Sequence, residues 1–172
     1  MSRVSIAIAA VLACWPLVTL AEVKSAAADS FLIEQRYVVP APAAKVWASL
    51  MHPERWWPAN HTWSGKRENL SLGPDVGDCF CERWDGNAVE HGHVVFSMPG
   101  RMLRLNATLG PLQELAVSGV ITIALAEKDG ATTVTMTHRV SGDASQQLDK
   151  LAPIVDQVNA QQFGGLAADA AK

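Results

Sequence analysis

This sequence has no long run of like charges, no internal repeat and no low-complexity linker. Its 14 basic and 17 acidic residues give a net charge of −3 at pH 7 over 172 residues. A mildly acidic chain without basic clusters lacks the surface that nucleic acids and anionic membranes attract. With 49% apolar residues, the chain is long enough for one domain around one core.

Familiar enzyme motifs are also missing. The sequence contains no nucleophile elbow of the G-x-S-x-G kind and no glycine-rich phosphate-binding loop. These absences disfavour a nucleotide-using enzyme. We therefore predict no cofactor and no nucleic-acid partner.

The first 21 residues carry a single charge, Arg3. Their apolar stretch, VSIAIAAVLACWPLVTLA, is interrupted by Pro16 and ends in small residues, as export signals do. We predict a signal peptide over residues 1–21, cleaved after Ala21 or, alternatively, within Ala26–Ala28. Pro16 and the small residues argue against an uncleaved membrane anchor.

Cleavage after Ala21 would leave a chain of net charge −4 without a stable membrane anchor, located in the periplasm or secreted. We predict a flexible leader over residues 22–30 and one domain over 31–171. This chain keeps two cysteines, Cys79 and Cys81. On an extended strand their Cα atoms would lie ~6.5–7 Å apart, at the far edge of disulfide geometry, so we expect them to be poor partners.

The pattern of the remaining chain predicts an α+β fold. Residues 31–39 are typical of a strand, and two short helices fit between Pro42 and Trp57. Five or six strands separated by glycine-containing turns follow, and a helix begins near Ser145. A long antiparallel sheet that closes over one helix accounts for this order.

Five stretches carry a resemblance to a known superfamily: VVPAPAAKVWASLMHPERWW (38–57), HTWSG (61–65), VGDCFCERWDG (76–86), EHGHVVFSMPGRMLRL (90–105) and PIVDQVNAQQFGGL (153–166). Together they resemble the START-like or SRPBCC superfamily, which includes birch-pollen-allergen-like proteins, polyketide cyclases/dehydrases and chaperone-ATPase-activator homologues. The resemblance implies the helix-grip fold. Six to seven curved antiparallel strands would wrap around the C-terminal helix, with two short helices after the first strand.

The resemblance also implies an apolar pocket between the sheet and the C-terminal helix. We expect the tryptophan-rich segment 52–65 to lie at its mouth, where indole N–H groups can meet water or a ligand. The predicted pocket residues are Trp56, Trp57, Trp63, His61, Phe80, Trp84, Phe96, Met136 and His138. Equally, the tryptophans could close one end of the core, and His138 could be an ordinary core histidine.

The predicted hairpin around Asp85 can pair its two strands in either of two registers. One register would form a candidate metal site, and the other would form a candidate acid–base pair. A three-residue loop, Asp85–Asn87, would place Cys79 opposite His93 and Cys81 opposite His91, a set of residues typical of zinc sites. We do not favour a metal there, because a flat hairpin spreads its ligands apart.

The alternate register places Glu82 opposite His91. Glu82 with His91, or with His61 or His138 if these face the cavity, could perform acid–base catalysis on a bound carbonyl compound, as the resemblance to cyclases implies. The principal prediction is therefore binding of a small hydrophobic or amphipathic ligand. The alternatives are a cyclase- or dehydratase-type enzyme and a Cys/His metal-binding or interaction module.

Overall fold

A computed structural model describes residues 20–172. Its strands are β1 (Leu20–Ala27), β2 (Ser30–Val39), β3 (Leu70–Leu72), β4 (Cys79–Trp84), β5 (Asn87–Met98), β6 (Met102–Ala107), β7 (Val117–Lys128) and β8 (Ala131–Gly142). Its α-helices are α1 (Ala43–Leu50), α2 (Pro53–Trp56) and α3 (Leu148–Ala170). Short 3-10 turns lie at Ala59–His61, Arg67–Asn69, Gly110–Glu114 and Ala144–Gln146.

All eight strands form one antiparallel sheet in the order β1-β2-β8-β7-β6-β5-β4-β3. The helix α3 packs against β1, β2 and β8, and α1 and α2 pack against α3. This arrangement confirms the predicted α+β helix-grip fold. The sheet has eight strands instead of six to seven, because β1 and the three-residue strand β3 both join its edges.

The predicted flexible leader over residues 22–30 is wrong. Most of it forms β1, which pairs with β2 from Leu20 opposite Arg36 to Ala27 opposite Ser30. Its side chains give no alternating pattern, so the strand could not be read from the sequence. Backbone pairing with the neighbouring strand supplies its hydrogen bonds. The predicted signal peptide lies almost entirely outside the residues that the structure describes.

The two short helices are fixed by contacts from distant parts of the chain. The backbone N–H of Ala43, at the start of α1, donates to Oε2 of Glu127 on β7, 2.8 Å away. The indole Nε1 of Trp56 donates to the carbonyl oxygen of Ser49 at 2.8 Å, which joins α2 to α1. Behind α2, the absence of a side chain at Gly165 lets α3 approach the carbonyl of Trp56 closely.

Two hydrophobic clusters fill the space between sheet and helices. The larger one joins the inner face of the sheet to α1, α2 and the C-terminal half of α3. The smaller one surrounds Phe31, Ile33 and Leu148 at the other end of α3. Between β2 and α3, the buried amide Nε2 of Gln35 donates to the backbone carbonyl and to Oδ1 of Asp156, both at 2.8 Å.

Candidate functional site

Away from its turn the β4–β5 hairpin keeps the first predicted register, with Cys79 opposite His93, but between its bulge and its turn it differs from both predicted registers. Its turn has two residues, Asp85 and Gly86, both with positive φ, so that Trp84 pairs with Asn87. Such a turn matches the twist of the strands, and glycine adopts it readily. The predicted three-residue loop is therefore wrong.

A bulge in the same hairpin places His91 beside Glu82. Phe80 pairs with Gly92, but Cys81 pairs with Glu90, so β5 has one extra residue, His91, at this point. A bulge changes which face the following side chains occupy. His91 consequently lies on the inner face of the sheet, although the residue paired with Glu82 is Val89.

Glu82 and His91 form a buried pair. Their side chains are 0% and 2% exposed, and Nε2 of His91 lies 3.2 Å from Oε2 of Glu82. The same carboxylate accepts the backbone N–H of Trp63 at 3.0 Å and that of Ser64 at 2.5 Å. Glu82 therefore holds the loop that follows α2 against the inner face of β4.

Opposing effects set the charge of this pair. Burial alone would raise the pKa of Glu82, but the hydrogen bonds from Ser64, Trp63 and His91 outweigh it and lower that pKa. Burial lowers the pKa of His91, and Glu82 offsets only part of this effect. At neutral pH the pair is thus a carboxylate beside a neutral imidazole. Because a carboxylate only accepts, Nε2 of that imidazole carries the proton.

Aromatic rings pack around the pair on the inner side. The ring of Phe80 lies 5.0 Å from His91 and 5.1 Å from Trp57, measured between ring centroids. Trp57 also contacts Trp56 at 5.5 Å and Phe163 of α3 at 6.3 Å. This aromatic cluster, Trp56, Trp57, Phe80 and Phe163, surrounds a residual cavity of about 10 Å³. Such a volume is at the limit for one water molecule.

The protein's own side chains thus fill the region where the resemblance implied a pocket. A larger depression of about 260 Å³ opens where β5, β6 and β7 meet, near Glu90, Asn106 and Ser118. Its polar lining does not suit an apolar ligand. The candidate site is therefore the aromatic cluster with the adjacent Glu82–His91 pair.

Three predicted pocket residues, Trp56, Trp57 and Phe80, line the residual cavity. Trp63 is 49% exposed, on the loop held by Glu82. His61 is partly buried beside it and accepts the indole N–H of Trp57 at its backbone carbonyl, 3.0 Å away. Burial lowers the pKa of the His61 imidazole, and its Nδ1 has no hydrogen-bond partner among the described residues.

Phe96 and Trp84 do not line the cavity, contrary to prediction. A second bulge leaves Val95 without a partner on β6 and turns Phe96 to the outer face, where it is 37% exposed. There the guanidinium carbon of Arg104 lies 5.5 Å from the centre of its ring. Trp84 is partly exposed beside the hairpin turn. For Phe96, the alternation used for prediction fails after the second bulge, because an extra residue exchanges the two faces.

Met136 and His138 are fully buried on β8 but do not line the residual cavity. His138 faces α3, where its Nδ1 is 3.1 Å from Nδ2 of Asn159, and its ring packs edge-on against Phe31. Burial lowers the pKa of His138 to about 4, although the Asn159 amide opposes the shift. The neutral imidazole is part of the core between sheet and helix.

Two contributors to the site were missed from the sequence. Phe163 closes the cavity from α3, and the backbone N–H groups at 63 and 64 bind Glu82. Phe163 lies within the quoted segment 153–166, so the resemblance gave a signal for it. Backbone donors carry no residue-specific signal and could not have been found.

Cys79 and Cys81 form a disulfide, contrary to the expectation that they are poor partners. Their Cα atoms are 5.3 Å apart, because β4 is contracted next to the bulge and is not fully extended. The alternative metal site is not formed either, since His91 points inward while His93 stays at the surface beside Glu90. Within residues 20–172, no three His, Cys, Asp or Glu side chains are grouped to hold a metal.

Comparison with known proteins gives matches among solved structures alone. No protein-family model matches this chain, and no curated protein matches it. A protein of Mesorhizobium loti is 21% identical, with a TM-score of 0.56 over 81% of this chain and 94% of that one. CalU16 of Micromonospora echinospora is 16% identical, with a TM-score of 0.54 over 90% of this chain and 75% of that one. The di-domain ARO/CYC protein StfQ from the steffimycin biosynthetic pathway is 12% identical, with a TM-score of 0.59 over 83% of this chain and 51% of that one.

These structural matches confirm the prediction at the level of fold: the chain has the helix-grip fold. Identities this low carry no residue roles from one protein to another. Among the helices that the structure describes, none is long and apolar enough to cross a membrane.

Proposed function

We propose that this protein binds a small hydrophobic or amphipathic ligand between the sheet and α3. The observation that supports this proposal is the aromatic cluster around the residual cavity, with one buried carboxylate–imidazole pair at its side. Apolar walls with a few fixed polar groups are the usual composition of small-molecule sites. The helix-grip fold is shared with StfQ, whose name places it in a biosynthetic pathway.

A ligand must displace part of the aromatic cluster, because about 10 Å³ holds no organic molecule. The part that we propose to move is α2 with the loop up to residue 65, because α2 has only four residues. It is held by the packing of Trp56 and Trp57 against Phe163, by the hydrogen bonds of the two indoles and by the contacts of Glu82 with the loop. A neutral hydrogen bond contributes about 0.5–1.5 kcal/mol and one to the Glu82 carboxylate about 1.5–3 kcal/mol, so the ligand must replace these and the apolar contacts of the two indole rings through its own burial.

The test compares two phenylalanine variants. Phe163→Ala removes a ring that lines the cavity, whereas Phe96→Ala removes a ring from the outer face. Binding of 1-anilinonaphthalene-8-sulfonate is followed by fluorescence, and native mass spectrometry detects ligands that co-purify. We expect Phe163→Ala to change the affinity at least about tenfold and Phe96→Ala to leave it unchanged. Cooperative unfolding of each variant excludes a loosened core as the cause of dye binding. Equal dye binding by both variants would refute an interior site.

A second candidate function is acid–base catalysis of the cyclase or dehydratase type. Its support is the distance of 3.2 Å between Nε2 of His91 and Oε2 of Glu82 inside the fold. Against it, both oxygens of Glu82 already accept backbone N–H groups. For a β-hydroxy ketone substrate, His91→Gln should abolish turnover but retain ligand affinity if the pair is catalytic. Absence of turnover by the parent protein, with the ligand still bound, would favour the binding function.

We further propose that the protein is exported and acts in the periplasm or outside the cell. The apolar N-terminal segment and the disulfide both support this location. Cleavage after Ala21 keeps most of β1, whereas cleavage within Ala26–Ala28 would remove nearly all of its pairing with β2. The intact mass of the protein from a periplasmic extract distinguishes the two sites. A full-length mass would refute cleavage at either site.

A further inference from the structure

We propose that the Cys79–Cys81 disulfide is an exchange-active redox site, which accepts two electrons from an accessible dithiol and returns them to a disulfide. The proposal does not depend on ligand binding by the aromatic cluster. It rests on three features of β4: the unequal exposure of the two sulfurs, the short loop that the disulfide closes, and the histidine opposite the first cysteine.

The two cysteines differ in access. Cys79 is the first residue of β4 and is partly exposed, while Cys81 is 4% exposed. The strand β3 pairs with residues 80–82 and ends before Cys79. Cys79 is therefore the cysteine more open to an incoming thiolate, and in the proposed exchange the sulfur of Cys81 is the leaving group. One accessible and one protected sulfur is the arrangement that directs exchange to a single site.

The disulfide is poorly placed to stabilise the fold. It encloses one residue, Phe80, and the chain-entropy contribution of a disulfide grows with the length of the loop. Phe80 is anchored independently in the aromatic cluster, and β4 pairs on both sides with β3 and β5. Reduction should therefore leave the sheet intact, which allows the pair to cycle in the native protein.

His93 lies directly opposite Cys79 in the antiparallel pairing, so the two side chains share one face. The His93 side chain is 41% exposed, and its Nδ1 lies 2.8 Å from Oε1 of Glu90. With Nδ1 beside Glu90, Nε2 is the ring nitrogen that remains for a contact with position 79. An imidazole beside a cysteine favours the thiolate, which is the reactive form. His93 is thus a positioning residue for Cys79.

The proposed exchange transfers two electrons through a mixed disulfide. A substrate thiolate attacks the sulfur of Cys79, the Cys79–Cys81 bond breaks, and Cys81 leaves as a thiolate. The second substrate thiolate attacks the substrate sulfur of this mixed disulfide, which yields an oxidised substrate and a reduced Cys79. Two electrons and two protons pass from the substrate dithiol to the cysteine pair. A second disulfide compound, such as oxidised glutathione, reverses the sequence and regenerates the bond.

The test uses the full chain with Cys14→Ser, so that Cys79 and Cys81 are the two cysteines that can react. The native protein is reduced with dithiothreitol, freed of reductant and mixed with 5,5′-dithiobis(2-nitrobenzoic acid), which releases a coloured thiolate. Reduced protein should release two thiolates per chain and end as the intramolecular disulfide without an adduct. Cys81→Ser should release one and retain a mixed disulfide at Cys79. Cys79→Ser should react at least about 100-fold more slowly, because Cys81 is buried.

The variant His93→Gln tests the role of the imidazole opposite Cys79, through the pH dependence of the initial rate of thiol reaction. We expect the initial rate at pH 7 to fall about tenfold and the loss to shrink at pH 9, where thiols ionise without assistance. Circular dichroism of the reduced protein should match that of the oxidised one. The proposal fails if dithiothreitol reduces the pair only in denaturant, or if the two single-cysteine variants react at equal rates. It also fails if the reduced protein retains two adducts.

Discussion

Replacement of two adjacent glycines in α3 by alanine should change stability in opposite directions. In a helix interior, alanine is about 1 kcal/mol more favourable than glycine. A Cβ at Gly164 would lie 3.9 Å from Cε1 of Tyr37, which is an ordinary van der Waals contact. Gly164→Ala should therefore stabilise the protein by about 0.5–1 kcal/mol.

Gly165 faces a different neighbour. A Cβ there would overlap the carbonyl oxygen of Trp56, and a backbone atom cannot turn aside as a flexible side chain can. Overpacking of this kind costs about 1–3 kcal/mol, more than the helix propensity returns. We expect the two variants to differ by about 2 kcal/mol, with Gly165→Ala the less stable.

Equilibrium unfolding in guanidinium chloride measures this difference. Both variants should keep the denaturant slope of the parent, so that a shift of midpoint reports stability alone. Melting temperatures should differ by about 4–8 °C for a domain of this size. If Gly165→Ala is as stable as Gly164→Ala, α2 does not pack on α3 as described, and the account of how the aromatic cluster is held would be wrong.

Two further predictions concern buried titratable groups. The pKa of His138 is lowered from 6.5 to about 4, so its contribution to stability is complete above pH 6.5 and decreases as the pH falls toward 4. The loss should reach about 3 kcal/mol at pH 4, and His138→Leu should remove this part of the pH dependence in denaturant titrations. Glu82→Gln should destabilise the protein by about 2–4 kcal/mol at pH 7, because an amide cannot accept the N–H groups of both Trp63 and Ser64. Since the pKa of Glu82 is lowered, the difference from the parent should decrease below about pH 4, and a difference that is constant down to pH 3 would contradict the assignment.

The sequence alone determined the order of most elements, because the signals that specify them are local. Alternating apolar residues define β2 and β8, glycine-containing turns separate the later strands, and prolines bound α1. The tryptophan-rich segment was recognisable for the same reason, since its residues are neighbours in the chain. These features were sufficient to predict a sheet closed over a C-terminal helix.

Only the tertiary structure decided which side chains meet at the site. Each of the two bulges in β5 adds one residue, and a strand with a period of two then exchanges its faces. One bulge brings His91 to Glu82, and the other sends Phe96 to the surface. The strand β1 depends on pairing with β2, and the Cys79–Cys81 bond depends on local contraction of β4. Whether the interior is open or filled depends on how all the rings pack together, which no local pattern encodes.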